Sequence, residues 1–156
     1  MATILVTGGS GYVGSHCVLE LLNNHYQVVV IDNLINSIQL NDNPLPESLA
    51  RIEQITGRKI VQFYNGSIED DSLLDQIFTA HSVQVVIHFA ALKAVGESVG
   101  KPLWYYRNNV SGSIALLNAM QKHDVTKFIF SSSCTVYGKY NLHRLMEFIS
   151  DLVILS

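Results

Sequence analysis

Apolar residues fall into short unbroken runs, and the stretches between them repeat at helical spacing. Residues 3–6, 27–31, 59–64, 83–88 and 127–130 read as β-strands, and runs such as Ile4-Leu5-Val6 and Val28-Val29-Val30-Ile31 mark strands buried on both faces. Helices are expected near residues 11–24, 47–56, 71–81 and 103–122, with Cys17, Val18, Leu21 and Leu22 forming the apolar face of the first. Alternation of buried strands with helices implies a parallel α/β sheet covered on both sides. Right-handed crossovers then favour a doubly wound order, 3-2-1-4-5. The loop 33–46, with Pro44 and Pro46, is long for a strand-to-helix connection, which marks it as a functional candidate. After residue 138 the pattern changes: apolar positions 142, 145, 146, 149, 152 and 153 suit one face of a short helical tail.

Thr7-Gly8-Gly9-Ser10-Gly11-Tyr12-Val13-Gly14 joins the first strand to the first helix. A strand, a glycine-rich turn and a helix N-terminus together suit a dinucleotide pyrophosphate, which makes the expected fold Rossmann-type. Backbone N–H groups and the positive end of the helix dipole face the anion, and glycine removes the Cβ that would block it. The competing reading is a tight strand–helix turn with no ligand.

Composition narrows the field. The 156 residues are 48% hydrophobic with a net charge of −3, enough apolar matter for a core and no basic stripe for a nucleic-acid backbone. The apolar runs are too short to span a bilayer, and Met1-Ala2-Thr3 enters the first strand without a charged leader. The two cysteines, Cys17 and Cys134, form no C-x-x-C, so metal ligation is not expected and a reduced, cytoplasmic setting is the plain expectation.

Asp32 ends the second strand, where a carboxylate accepts hydrogen bonds from an adenosine ribose and repels a 2′-phosphate, favouring NAD over NADP. An ordinary turn-forming Asp-Asn pair would look the same. Ser131-Ser132-Ser133 follows the fifth strand at the sheet edge where ligands bind, although serine runs also make turns. Lys93 follows the fourth strand and suits a negative cofactor or simply a solvated surface, and His88 reads as a packed or capping residue. Asn108 and Asn109 lie in an otherwise apolar helix. Amides are poor helix formers, so one of them is expected to turn towards the ligand edge.

Taken together, these segments resemble the NAD-dependent UDP-glucose 4-epimerases of the extended short-chain dehydrogenase/reductase superfamily. The glycine segment with Ser15-His16, Asp32-Asn33-Leu34 with Asn36-Ser37, and Asn108-Asn109-Val110 carry part of the likeness. Phe130-Ser131-Ser132-Ser133 with Thr135-Val136-Tyr137-Gly138 carries more, and His88-Phe89-Ala90-Ala91-Leu92-Lys93-Ala94-Val95-Gly96-Glu97-Ser98 is the most diagnostic run. The likeness covers residues 1–138, read as an incomplete NAD-binding domain. Residues 139–156 read as an unrelated amphipathic tail, with no substrate domain in the chain.

The resemblance implies that Gly8, Gly11, Tyr12, Val13 and Gly14 line the pyrophosphate. Asp32, with Asn33, Leu34 and Asn36, would hold the adenosine ribose; Ser67 and Ile68 would stand at the adenine; and Phe89, Lys93 and Asn108 would contact the cofactor. Ser133 would serve catalysis by bonding the sugar 4-hydroxyl, with Cys134 and Thr135 beside a UDP-sugar substrate. Family chemistry reversibly oxidises the sugar at C4, and homodimers belong to whole members. Departures are Ser67 for an aspartate, Ala91 for a glycine and Cys134 for an alanine. The family's base is the tyrosine of a Tyr-x-x-x-Lys pair, and no such pair occurs in this sequence. Its nearest imitation, Tyr140-x-x-x-Arg144, falls only seven residues past Ser133, and arginine does not replace lysine at such a site. The expectation is therefore a chain inactive by itself. Its alternatives are a non-catalytic NAD-binding module or partner of a full-length subunit, and a related sugar-nucleotide dehydratase.

Overall fold

The computed structural model describes residues 1–39 and 44–133, and the backbone of 154–155. Its strands are β1 (Thr3–Thr7), β2 (Gln27–Asp32), β3 (Gln62–Asn65), β4 (Val83–His88), β5 (Lys127–Phe130) and β6 (Ile154–Leu155). They form one sheet in the order β3-β2-β1-β4-β5-β6, parallel throughout except that β6 runs antiparallel to β5. The helices are α1 (Tyr12–Asn23), α2 (Glu47–Thr56), α3 (Asp71–Ala80), α4 (Val95–Gly100), α5 (Pro102–Tyr106) and α6 (Gly112–Lys122). A π turn, Arg107–Ser111, joins α5 to α6.

Alternation along each strand explains the unbroken apolar runs. Leu5, Val29, Ile31 and Val86 point into a core that includes Leu74 and Ile77 of α3 and Leu116 and Met120 of α6. Their neighbours Ile4, Val6, Val28 and Val30 point the other way, against Val18 and Leu22 of α1 and Leu49 and Ile52 of α2. A sheet covered on both faces needs both sets apolar. The expected doubly wound order 3-2-1-4-5 is therefore the observed one.

Three boundaries differ from the pattern. The third strand begins at Gln62 rather than 59; before it, the Val61 N–H bonds the Val28 carbonyl of β2 at 2.8 Å and the Ile60 N–H is capped by the Glu53 carboxylate at 2.9 Å. The single helix expected over 103–122 is α5, the π turn and α6 in succession, preceded by the unexpected α4. The helical tail expected over 142–155 is corrected at its end: Ile154–Leu155 pairs with β5, whose edge otherwise leaves backbone donors and acceptors unmatched. Residues 139–153 lie outside the described residues.

Candidate functional site

The glycine turn is held from two sides. Gly8 has φ +67°, and a Cβ there would stand 2.7 Å from the Ala90 nitrogen. A Cβ on Gly14 would stand 2.2 Å from the Gly8 carbonyl oxygen. Glycine at these two positions lets β1, the exit of β4 and α1 close on one another. At Gly11 the nearest neighbour of such a Cβ is the Gly8 oxygen at 3.3 Å, so crowding within the chain is far milder there. The first helical bond of α1 is Ser15 N–H to the Gly11 carbonyl, and no side chain caps this end. The N–H groups of Tyr12, Val13 and Gly14 are therefore left for an anion at the positive pole of the helix. Tyr12 and Val13 flank them, exposed although apolar.

Asp32 is buried, and its carboxylate already performs a task within the fold. Oδ2 accepts the Ser10 N–H at 3.0 Å and Oδ1 accepts the Leu34 N–H at 2.8 Å. These two bonds tie the glycine turn to the segment after β2 and hold Leu34 in a left-handed backbone conformation, φ +62°. Ser10, which sequence reasoning missed, is a hub: its hydroxyl lies 2.8 Å from that of Ser37, and its carbonyl accepts from Ser48 Oγ at 2.9 Å. Nothing in the apolar pattern distinguishes this serine from an ordinary turn residue.

Around the edge the predicted residues separate. Asn33 and Asn36 are exposed; Asn36 lines a cleft of about 280 Å³ with Ile35, Leu92, Lys93, Ala94, Glu97 and Tyr105. Ser67 accepts the Glu69 N–H at 3.1 Å through its hydroxyl oxygen, which leaves the hydroxyl proton to donate. The Ile68 side chain is buried in the core beside Gly112, and Phe89 packs against the α1–α2 core. For Ile68 the backbone is what remains for a ligand, whereas Phe89 is only half-buried and its N–H donates to the Thr7 carbonyl at 3.0 Å. Lys93 is exposed and holds no ion pair among the described residues, whereas Lys101, Lys59, Arg107 and Lys122 each hold a carboxylate.

The same cleft has a fixed acidic wall. Lys101 at 3.1 Å and the Tyr105 hydroxyl at 3.0 Å both donate to Glu97 and hold its carboxyl below the usual carboxylate range. Partial burial, then the bond to Glu97, raises the Tyr105 phenol.

The π turn holds Asn109 against the loop that carries Lys93, with Asn108 bonded to Asn109. Within an α-helix consecutive side chains diverge around the axis; a π turn shifts that register, and such turns recur at functional sites. Asn108 is buried and donates from Nδ2 to Asn109 Oδ1 at 2.8 Å. Asn109 in turn accepts the Leu92 N–H at 2.8 Å and donates to the Leu92 carbonyl at 2.9 Å. The resemblance implies a role for Asn108 alone, whereas Asn109 is the residue that bonds the loop. Ser133 is exposed just past β5, and Cys134 and Thr135 lie outside the described residues.

Against known proteins, the profile described as "NAD dependent epimerase/dehydratase family" matches residues 4–149. The chain is 58% identical over 144 residues to a UDP-glucose 4-epimerase of Pasteurella multocida, covering 92% of this chain and 40% of that protein. It is 55% identical over 138 residues to the mouse (Mus musculus) UDP-glucose 4-epimerase, covering 88% and 39%. Among solved structures it matches UDP-glucose 4-epimerase from Bifidobacterium longum in complex with NAD+ and UDP, with TM-score 0.78, 47% identity, and 88% and 38% of the two chains covered. A Stenotrophomonas maltophila UDP-glucose-4-epimerase with bound NAD and formylated UDP-arabinopyranose gives TM-score 0.81, 44% identity, and coverage of 90% and 40%. The chain thus spans about 40% of the length of the curated relatives it matches. With the family profile matching residues 4–149 and relatives above 50% identity over most of its length, the chain belongs to the NAD-dependent epimerase/dehydratase family.

Proposed function

We propose that this chain binds NAD across the carboxyl ends of β1, β2 and β4, as the dinucleotide-binding part of a UDP-glucose 4-epimerase acting on UDP-sugars. The observation that carries the proposal is the Asp32 carboxylate bonded to the glycine turn through Ser10. An ionised carboxylate has about four acceptor sites, and the two backbone N–H groups occupy only part of that capacity. The remainder suits the paired hydroxyls of a ribose, and the negative charge disfavours a 2′-phosphate. Next to it, the uncapped amides of α1 suit the diphosphate. Lys93, which holds no ion pair among the described residues, is the cation at the cleft for the far end of the dinucleotide, Asn108 stands in the wall behind it, and Ser133 would hold the sugar 4-hydroxyl. When bound, NAD supplies a hydride acceptor for C4 of the sugar.

A non-catalytic NAD-binding module is the second reading, favoured by the lack of any Tyr-x-x-x-Lys among the 156 residues. Loss of a general base typically costs about 10²–10⁴-fold in rate. A cytoplasmic setting is part of the proposal; Cys17 is a free thiol, and among the described residues no helix is long and apolar enough to cross a membrane.

Calorimetry of the purified chain with NAD and NADP, beside a coupled assay for UDP-galactose conversion, tests these readings. NAD binding preferred over NADP, weakened on the order of tenfold or more by Asp32→Asn, is the expected result. NAD binding without turnover selects the module. Turnover by this chain removes that second reading, and a folded sample that takes up no NAD overturns both.

A further inference from the structure

Buried beneath the glycine turn is a polar side chain that the dinucleotide reading does not use. His88 ends β4, is 2% exposed, and has both ring nitrogens within hydrogen-bond distance of hydroxyls: Nδ1 is 2.6 Å from Thr7 Oγ1 and Nε2 is 2.9 Å from Ser113 Oγ. The direction of every bond follows from counting protons. Ser113 Oγ lies 2.7 Å from the Asn109 backbone carbonyl, which can only accept, so the single hydroxyl proton goes there. Ser113 Oγ is then left to accept from the ring, and Nε2 must carry the hydrogen. In a neutral imidazole the other nitrogen is an acceptor, so Thr7 donates to Nδ1. Thr7 Oγ1 in its turn accepts the Ala90 N–H at 3.3 Å.

One continuous, one-way chain results: Ala90 N–H to Thr7, Thr7 to His88, His88 to Ser113, and Ser113 to the Asn109 carbonyl. The Asn109 side chain then grips both backbone groups of Leu92, and Leu92 is joined through Ala91 to Ala90. The bonds therefore close a ring around the first residues after β4. Gly8 packs against that ring at Ala90, and Lys93 is the next residue beyond it. Reversing the arrows leaves the Thr7 proton with no acceptor in this chain of groups. A charged ring fails for the same reason, and burial does push the His88 ring down to about 4.

We propose that His88 is a positioning residue: as the neutral Nε2–H tautomer it closes this ring of hydrogen bonds, and so sets the glycine turn and the Lys93–Asn108 wall at one fixed spacing for the dinucleotide. The proposal rests on the NAD reading for its functional consequence and on Thr7, His88, Ser113 and Asn109 for its geometry. Packing alone predicts otherwise. The ring stacks on Phe130 at 5.6 Å and lies tilted against Phe128 at 5.9 Å, contacts that a phenylalanine would keep.

Two measurements on the 156-residue chain test it. A long-range ¹H–¹⁵N spectrum of the unaltered protein at neutral pH should show His88 protonated at Nε2 alone. An Nδ1–H tautomer or a doubly protonated ring overturns the proposal without reference to NAD. Calorimetry should then show His88→Phe and Ser113→Ala each weakening NAD on the order of tenfold, with the double variant no worse than His88→Phe. If the unaltered chain binds NAD and His88→Phe binds it equally well, His88 only packs and the proposal is overturned. If the unaltered chain binds no NAD, the dinucleotide reading fails instead, and the positioning role fails with it. Should His88→Phe not fold, the spectrum and Ser113→Ala still decide.

Discussion

The carboxyl edge of the sheet has two halves built by opposite rules. Around β1 and β2 the polar groups satisfy one another before any ligand arrives: Asp32 takes two backbone N–H groups, Ser10 bonds to three partners, and glycines permit backbone-on-backbone contact. Past β4 the chain instead presents exposed surface. Lys93, Val95 and Val99 stand in solvent, and Leu103, Tyr106, Val110, Ile114 and Leu117 form a stripe along α5, the π turn and α6, from 82% exposed at Leu103 to 44% at Leu117. Spacings of three and four residues put that stripe on one side of the helix. A cradle can be completed by local bonds, because a pyrophosphate asks only for oriented amides and the absence of Cβ atoms. A contiguous apolar stripe has no such local bonds to complete it. The first half is braced by its own polar groups; the second leaves apolar side chains exposed.

Substitutions at the crowded backbone contacts should break the first half outright. Gly14→Val drives a Cβ into the Gly8 carbonyl, where no flexible side chain can yield, and is expected to cost about 3 kcal/mol or more of stability together with NAD binding. Chemical denaturation reads the first loss and calorimetry the second. A variant with the wild-type midpoint would show that the turn is far looser than these contacts imply.

Acid should act next, through the seam between the halves. The unfolded chain protonates His88 near its ordinary 6.5, while the folded ring resists until about 4. Between those values the unfolded state binds more protons, so this contribution is complete above about 6.5 and lost as pH falls to about 4, at a cost of about 3 kcal/mol. Asp75, held low by Lys122 and His123, and Glu97, held low by Lys101 and Tyr105, act in the same sense as pH falls below their ordinary 3.8 and 4.5, as exposed groups whose effect solvent weakens. Urea unfolding at pH 7 and pH 4.5, in parallel with His88→Phe, isolates the buried ring. Equal pH dependence in both proteins would remove His88 from the account.

The second half should respond least in stability and most in solution behaviour. Leu103→Glu and Val110→Lys replace exposed apolar groups and are expected to shift stability by less than about 0.5 kcal/mol while raising the soluble concentration. Light scattering against concentration measures this. A large fall in thermal midpoint would mean that the stripe packs against part of the chain after all.

How legible each feature was in the sequence depends on its range. The crowding at Gly14 is legible because Gly8 and Gly14 share one strand–turn–helix unit whose residues are sequence neighbours, and Asp32 is legible as a carboxylate ending a strand, though not as the partner of Ser10. β4 and β5 were found at both ends, since a run of buried apolar residues needs no partner to announce itself. Ser10, Asn109 and the His88 chain were not readable. Their bonds join residues 22, 17 and 81 positions apart, and a serine, an asparagine or a histidine carries no signal of who will stand opposite. The π turn escaped for the same reason: residues 103–122 are helical by pattern, and the shift in register shows only when Leu92 is in place to receive Asn109.

Local chemistry in the chain thus determined the fold class, the strand order and the position of the glycine turn, because hydrophobic period and glycine placement act over a few residues. Tertiary structure alone decided which polar groups brace that turn and which helix faces stay bare. Those outcomes depend on the sheet bringing the ends of β1, β2 and β4 within a few ångströms of one another, a distance that no spacing along the sequence encodes.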